Sequence, residues 1–172
     1  GDTSIQTKLE DGKYLIALSD GMGSGPEARK SSKIAIKMLE RLLTSGFKKD
    51  TSIKLINSTL AANMQEDDMY ATLDIAILDL YEGTLTSIQN AACTTYIKNK
   101  TNIRKIDSKE LPVGILEDIE LNPVITKLND GDIILMCSDG LLESKEDISK
   151  DWIETFLKNV NTNNVQKLAD LI

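Results

Sequence analysis

The sequence predicts an α+β fold in which antiparallel β-strands combine with amphipathic helices. One pattern occurs twice, as LEDGKYLIALSDG from Leu9 to Gly21 and as LNDGDIILMCSDG from Leu128 to Gly140. Apolar side chains recur at helical spacing after Pro26. Residues 70–106 contain short β-prone runs separated by turn residues, which is typical of an antiparallel meander.

The repeated pattern predicts two strands that each deliver a carboxylate. Its Asp-Gly pair predicts a tight turn, since Gly tolerates positive φ and Asp bonds its own backbone. The apolar runs that follow, Tyr14 to Leu18 and Ile133 to Cys137, predict strands buried on both faces. Both runs end on Ser-Asp-Gly, which places Asp20 and Asp139 after equivalent strands.

These two carboxylates predict a shared cation site. An ionised carboxylate withdrawn from water is costly unless a cation or a hydrogen-bond donor meets it. The alternative is that Asp20 and Asp139 only cap turns. We prefer that simpler interpretation for Asp11 and Asp130, because these residues precede their strands. For the residues that follow the strands, the repetition favours the cation site.

The first part of the chain predicts a strand and a helix joined by a glycine-rich loop. Residues 3–8 can pair with the first apolar strand, which would place Asp2 opposite Asp20. The loop at residues 21–25 is not a P-loop, because no Lys and no hydroxyl follow its last glycine. A helix is predicted to start at Pro26 and to stop at Gly46. Its buried face comprises Ala28, Ala35, Met38, Leu39, Leu42 and Leu43.

The remaining elements are predicted from shorter signals. Thr51 or Ser52 can cap a second helix, whose buried side chains are Ile53, Ile56, Leu60 and Met64. Asp74 interrupts a strand predicted over residues 70–80, as a hydrogen-bonded strand residue or as an outer partner of a metal site. Further β segments are predicted at residues 84–90, 94–97, 102–106 and 123–128, with helices around Trp152 and from Val165.

The amino-acid composition limits the partners and the kinds of catalytic or metal site that the chain can have. The 172 residues fit a single domain, and 27 acidic against 20 basic residues give a net charge of −7 without an extended basic run, so nucleic acid is not an expected partner. There is no histidine and there are two cysteines, which excludes the usual zinc sites and a histidine base.

No apolar run is long enough for a membrane span and no signal peptide opens the chain. We therefore expect a cytoplasmic domain that makes no membrane contact itself.

Four motifs occur in a fixed order along the chain: DGMGSG from Asp20, ATLD from Ala71, LPVGI from Leu111 and SDG from Ser138. In this order they resemble the stage II sporulation protein E family, which lies in the bacterial branch of the metal-dependent type 2C serine/threonine phosphatases. The resemblance implies two antiparallel β-sheets packed face to face and flanked by helices, with metal ions at one edge between the sheets. Residues 1–172 would be a single, C-terminally truncated phosphatase-like domain of a longer chain.

The resemblance also implies a set of site residues. Asp20 and Asp139 would be catalytic and would bind Mn²⁺ or Mg²⁺, as two ions. The implied metal ligands are Asp20, Gly21, Asp139 and Asp2, with Asp74 and Gly140 around them. A closing Asp-Asp-Met-Thr motif, whose Asp completes the metal site in the family, is expected beyond Ile172. Asp67-Asp68-Met69 has a similar sequence but precedes the ATLD strand, so we do not assign it as the closing motif of the metal site.

The function implied is hydrolysis of a phosphoserine on a regulatory protein by metal-activated water. The implied substrate is a phosphorylated anti-sigma-factor antagonist, whose dephosphorylation activates a sporulation sigma factor. A homodimer and a membrane-anchored parent protein are further expectations. The alternative is a non-catalytic module that binds a phosphoprotein without turnover. Under that alternative the truncated domain, which lacks its last metal ligand, would be inactive even if the longer protein is a phosphatase. A third hypothesis makes residues 21–25 and the following helix a switch.

One departure from the family concerns the segment after the fourth strand. Relatives often have a Gly and a Pro there, whereas this chain has Ala91-Ala92-Cys93-Thr94-Thr95. The resemblance therefore leaves the shape of this rim open.

Overall fold

The structure is a computed structural model that describes residues 1–22, 26–62, 70–100, 102–143, 152–162 and 164–172. Its strands are β1 (Asp2–Lys8), β2 (Lys13–Asp20), β3 (Leu73–Asp79), β4 (Thr84–Asn90), β5 (Thr95–Lys98), β6 (Ile103–Ile106), β7 (Val124–Lys127) and β8 (Ile133–Leu135). Its helices are α1 (Pro26–Thr44), α2 (Lys49–Ala62), α3 (Asp139–Glu143), α4 (Trp152–Asn159) and α5 (Val165–Leu171).

The described strands form two antiparallel sheets, which confirms the predicted fold class. One sheet has the strand order β1-β2-β3-β4-β7 and the other has the order β6-β5-β8. Between the sheets lies an apolar cluster to which both contribute, comprising Ala76, Leu85, Ile97 and Ile106 with Ile16, Leu78, Ile134 and Met136 around them. The side chains alternate along each strand, so the opposite face of each sheet is left for helices.

Helices cover both outer faces. The first sheet packs against α1 and α2 through a fully buried set that comprises Leu15, Ala17, Ala35, Leu39, Ile53, Ile56, Leu60, Leu73 and Ile75. The second sheet packs against α4 and α5 through Tyr96, Trp152, Ile153, Leu157 and Leu168. The molecule is therefore layered as helix, sheet, sheet and helix. None of the helices in the described ranges is long and apolar enough to cross a membrane.

Helix α1 agrees closely with its prediction. It begins at Pro26, and Gly46 follows its end with φ +83, which is the left-handed conformation that glycine tolerates best. Four of its predicted core residues, Ala28, Ala35, Leu39 and Leu43, are buried, whereas Met38 and Leu42 are only half-buried. Their place is taken by Ile36, which is 3% exposed.

Two sequence predictions need correction. Helix α2 begins at Lys49 and not after Thr51 or Ser52, because the amide and the hydroxyl of Ser52 both donate to Lys48 O inside the first turn. Strand β8 is not buried on both faces, since it is three residues long, lies at the edge of its described sheet and is half-buried throughout.

The other predicted elements lie where they were expected, with ends displaced by at most three residues, whereas α3 was not predicted. Strand β3 starts at Leu73, while Ala71 forms isolated bridges to Gly21 and Val113. Predictions that concern Met64, the Asp67-Asp68-Met69 segment and the loop at residues 23–25 fall outside the described residues, and the switch hypothesis depends on that loop.

Candidate metal-binding site

The two carboxylates of the repeated pattern lie at the same edge of the sandwich. Asp20 is the last residue of β2, whereas Asp139 is the first residue of α3 and lies four residues beyond Leu135, where β8 ends. Both line one cavity of about 190 Å³, together with Asp74 from β3. The remaining lining residues are Leu18, Met22, Thr72, Ala91, Ala92, Cys93, Cys137 and Ser138. The chain thus brings together carboxylates that are far apart in sequence.

Asp2 connects the two repeats. It lies opposite Asp20 in the β1–β2 register, as the sequence predicted, and Ser138 Oγ donates a hydrogen bond to Asp2 Oδ2 over 2.5 Å. The amino nitrogen of Gly1 lies 3.0 Å from Asp20 Oδ1. Burial raises the pKa of Asp20, and the neighbouring Asp2 carboxyl raises this pKa further. The edge of the sandwich therefore concentrates negative charge.

Gly21 is required by the close approach of α1. A Cβ atom on Gly21 would lie 1.5 Å from the carbonyl oxygen of Ala28, so no larger residue fits without moving the backbone. The backbone hydrogen bonds around Gly21 are made by its neighbours, from Thr72 N to Asp20 O and from Met22 N to Tyr70 O. Within the described part of the chain, this leaves the Gly21 carbonyl without a backbone donor, so its lone pairs could bind a metal ion.

Thr72 holds the end of β2 in place, a role that the sequence did not suggest. Its hydroxyl oxygen accepts a hydrogen bond from Asp20 N over 2.9 Å, and its carbonyl accepts one from Ser19 Oγ over 2.7 Å. Ser138 was also missed as the partner of Asp2. The ATLD and SDG motifs were the available signals, although they do not reveal which atoms pair.

The structure gives less support for a functional role of Gly140, Cys93 and Cys137 than for Asp20, Gly21 and Asp139. A Cβ on Gly140 would meet nothing closer than Ser138 Oγ at 3.9 Å, so its surroundings do not require glycine. Burial raises the pKa of Cys93 to about 12 and that of Cys137 to about 11. Both thiols are therefore protonated near neutral pH and are poor nucleophiles.

The donor set fits a hard divalent cation. The candidate ligands are carboxylate and carbonyl oxygens, which suit Mg²⁺ or Mn²⁺ better than zinc. In the ranges that the structure describes, no three acidic, thiol or imidazole side chains converge as a complete ligand set. The carboxylates of Asp20 and Asp139 would therefore need carbonyl or water oxygens, or a further carboxylate, to complete the coordination.

Asp74 is anchored beneath the cavity by hydrogen bonds. It is 2% exposed; its Oδ2 accepts from Thr95 Oγ1 over 2.8 Å, and its Oδ1 accepts from Gln89 Nε2 over 3.2 Å. Gln89 Nε2 also donates to Cys93 O over 3.1 Å, so this group supports the cavity rim. Burial raises the pKa of Asp74 to about 6, although both hydrogen bonds oppose this rise. Asp74 is therefore a hydrogen-bonded strand residue, as one of the two alternatives predicted, and it also lines the cavity.

Asp74→Asn should change the pH dependence of stability in the metal-free protein. Because folding raises the pKa of Asp74 from 3.8 to about 6, its contribution to the free energy of unfolding falls as pH rises between these values. Asparagine does not titrate in this range, so the Asp74→Asn variant does not lose this contribution to the free energy of unfolding. Relative to the wild type, it should gain about 2–3 kcal/mol between pH ~4 and pH ~6.5. Urea unfolding across this range, with EDTA present, measures the gain, and parallel pH profiles would contradict it.

The rim has a backbone conformation typical of glycine at a position where this chain has alanine. Ala91 has φ +50, which lies in the left-handed region that favours glycine. Its amide donates to Glu110 O over 2.9 Å, and Ser108 Oγ donates to Gln89 O over 2.8 Å. These bonds hold the segment against the strain of its backbone.

Ala91→Gly should stabilise the protein by about 1 kcal/mol. A left-handed backbone conformation costs a non-glycine residue roughly 1–2 kcal/mol, and glycine would remove this cost. The greater conformational freedom of glycine in the unfolded chain would offset about 0.4–1 kcal/mol of that gain. Ala92→Gly is the matched control, because Ala92 has no positive φ and its replacement should destabilise the protein. Thermal unfolding of both variants distinguishes the cases, and an equal loss of stability would argue against strain at Ala91.

The fold is that of PP2C-type phosphatase domains. The structure matches the PP2C phosphatase domain of SpoIIE from Bacillus subtilis, solved with a fragment of its regulatory domain, with a TM-score of 0.89 and 34% identity. That match covers 99% of this chain and 50% of the other. A bacterial serine phosphatase, solved as a variant with a single arginine substitution, matches with a TM-score of 0.76 at 21% identity, over 99% of this chain and 83% of the other, and supports the fold alone.

Sequence comparison assigns the family. Residues 10–172 match the family model described as Stage II sporulation protein E. The chain is 34% identical over 174 residues to Stage II sporulation protein E of Bacillus subtilis (strain 168) and 32% identical over 174 residues to that of Priestia megaterium. The chain therefore belongs to the Stage II sporulation protein E family and corresponds to its PP2C-type phosphatase domain. These alignments cover 100% of this chain but only 21% and 30% of the two relatives.

Proposed function

We propose that the chain is a metal-dependent phosphatase that hydrolyses phosphoserine or phosphothreonine in a regulatory protein. The observation that carries this proposal is that Asp20 and Asp139, from two copies of one sequence pattern, line a single cavity. A cavity of about 190 Å³ has room for roughly six water molecules, at ~30 Å³ each, and thus for a phosphoryl group with a few waters. Family membership supports the same activity.

The residues of the site have separate tasks in this proposal. Asp20, Asp139 and the Gly21 carbonyl would hold Mn²⁺ or Mg²⁺, and Asp2, fixed by Ser138, would complete the negative edge. Bound divalent ions lower the pKa of a water molecule and neutralise phosphoryl oxygens. The protonated thiols of Cys93 and Cys137 do not favour a covalent enzyme intermediate. Direct attack by water on phosphorus is therefore the proposed route.

The metal ion, the substrate and the location of the reaction are proposed from the family resemblance. We propose manganese as the working ion, with two ions bound, and a phosphorylated anti-sigma-factor antagonist as the substrate. Dephosphorylation of that protein would activate a sporulation sigma factor, and the reaction would take place in the cytoplasm.

Phosphate release from a phosphoserine peptide tests the activity. The protein should release phosphate with Mn²⁺ or Mg²⁺ and lose this activity in excess EDTA. The alternative is a phosphatase-like module that binds a phosphoprotein without turnover. It would be favoured if no phosphate appeared with either ion while calorimetry showed weak Mn²⁺ binding or none.

A further inference from the structure

Helix α1 presents a row of basic side chains on its exposed face. Arg29, Lys33 and Lys37 follow one another at intervals of four residues and are all exposed. Residues four apart lie above one another on a helix, so the three form one line. Together with Lys30, Pro26 and Ile34 they line a cleft of about 700 Å³. We call this surface the basic face and define it by Arg29, Lys30, Lys33 and Lys37.

The charge of this face opposes that of the whole chain. Helix α1 contains five basic and two acidic residues, whereas the chain has 20 basic and 27 acidic residues and a net charge of −7. None of the ion pairs formed among the described residues involves Arg29, Lys33 or Lys37. These three cationic groups are therefore available to a ligand.

The basic face begins beside the candidate metal site. Gly1 packs against Arg29, since a Cβ on Gly1 would lie 3.1 Å from Arg29 Cβ, and the Gly1 amino nitrogen lies 3.0 Å from Asp20 Oδ1. Ser32 Oγ donates to Gly1 O over 2.7 Å, which fixes α1 against β1. At ~1.5 Å per residue, Arg29 to Lys37 spans about 12 Å, the length of roughly four residues of extended chain.

We propose that the basic face binds an acidic segment that flanks the phosphorylated residue of the protein substrate. This inference rests on the proposed function and adds a substrate class to it. The cavity of about 190 Å³ has room for a phosphoryl group but not for the flanking chain, which must lie on the surface around the cavity. A surface with a net charge of −7 repels acidic segments elsewhere, so the basic face attracts them to the edge of the site.

An anionic membrane is the competing occupant of a basic helix face. Membrane-surface helices insert apolar side chains beneath their basic ones. In α1 the large apolar residues face the protein core: Ile36, Leu39 and Leu43 are at most 8% exposed. Ile34 is half-buried within the face itself. The helix therefore has no apolar face to offer a bilayer, which favours an acidic protein segment.

The test compares two phosphoserine peptides that differ only in whether a run of glutamates or of glutamines precedes the phosphoserine. At low salt the wild type should hydrolyse the acidic peptide with a kcat/KM about tenfold higher, through a lower KM, and added salt should remove this preference. Lys33→Glu/Lys37→Glu should abolish the preference. Hydrolysis of p-nitrophenyl phosphate, which has no flanking segment, should stay within about twofold of the wild type.

Lys48→Glu/Arg104→Glu is the matched control, because it makes the same charge change at two exposed residues outside α1. It should keep the preference for the acidic peptide. An unchanged preference in the α1 variant, or an equal loss in the control, would overturn the inference. So would loss of binding to phosphatidylserine vesicles in the α1 variant with the peptide preference intact, since that result assigns the face to a membrane.

Failure of the proposed function is distinguishable from failure of the docking inference. If the wild type did not hydrolyse p-nitrophenyl phosphate with Mn²⁺ or Mg²⁺, the phosphatase proposal would fail. Fluorescence anisotropy of the labelled acidic phosphopeptide would then test docking without turnover. Binding that is lost in Lys33→Glu/Lys37→Glu and kept in the control supports the basic face, whereas equal binding by all three proteins refutes it.

Discussion

Asp20→Asn and Asp139→Asn are each expected to reduce metal-dependent phosphate release by about a thousandfold. Both carboxylates line the same cavity. Each substitution replaces an anionic carboxylate with a neutral amide and so removes one anionic ligand from the proposed ion site. Bound metal ions contribute several kcal/mol to stabilising a phosphoryl-transfer transition state. Because ~1.4 kcal/mol corresponds to a tenfold change in rate, losing ~4 kcal/mol gives this factor. Phosphate release at saturating Mn²⁺ is the measurement.

Asp79→Asn is the control for these variants. Asp79 also ends a strand of the first sheet, but it lies at the opposite end, where its Oδ1 accepts hydrogen bonds from the amides of Tyr81 and Glu82. Asparagine can accept the same bonds, so Asp79→Asn should remain active. Asp20→Asn also relieves repulsion with Asp2, so the metal-free variant should be no less stable than the wild type. Full activity in either site variant would remove the site assignment.

Gly21→Ala is expected to destabilise the protein by several kcal/mol. The new Cβ would lie 1.5 Å from Ala28 O and 2.3 Å from Ala28 C, which are backbone atoms of α1. No side-chain rotation relieves this overlap, so the start of the helix must move away from β2. Backbone displacement of this kind belongs to the large end of single-substitution effects, above ~4 kcal/mol. Urea unfolding of the purified variant measures it.

Gly140→Ala provides the comparison, since both glycines follow the aspartate of a Ser-Asp-Gly motif. At Gly140 the nearest atom to a new Cβ is 3.9 Å away, so the change in unfolding free energy should stay within about 1 kcal/mol. Equal stability of the two variants would mean that α1 does not approach Gly21 as closely as described. The two variants therefore test how closely α1 packs against the end of β2. That packing determines the position of the Gly21 carbonyl in the site.

The sequence predicted the elements whose signals are local. Apolar spacing with Pro26 and Gly46 defined α1, and repetition predicted strand ends at Asp20 and Asp139. Asp20 does end β2, whereas β8 stops at Leu135 and Asp139 begins α3. The start of α2 was missed because a serine can cap a helix or bond within its first turn, and Ser52 does the latter. Local patterns do not distinguish these two uses of one hydroxyl.

The contacts that shape the site could not be predicted, because they join residues far apart in the chain. Thr72 meets Asp20 only through the adjacency of β2 and β3, and Ser138 meets Asp2 across most of the length of the chain. Asp74 is bound by Gln89 and Thr95 through the register of β3 with β4 and the packing of β5. Such partners depend on how sheets pair and pack, which strand periodicity does not determine.

The most direct test of the account is a calorimetric titration with Mn²⁺ of the wild type, Asp20→Asn, Asp139→Asn and Asp79→Asn. If Asp20 and Asp139 hold a common ion site, the wild type and Asp79→Asn should bind Mn²⁺ alike, and both site variants should bind it at least about tenfold more weakly. Wild-type affinity in Asp20→Asn or in Asp139→Asn would contradict a shared site.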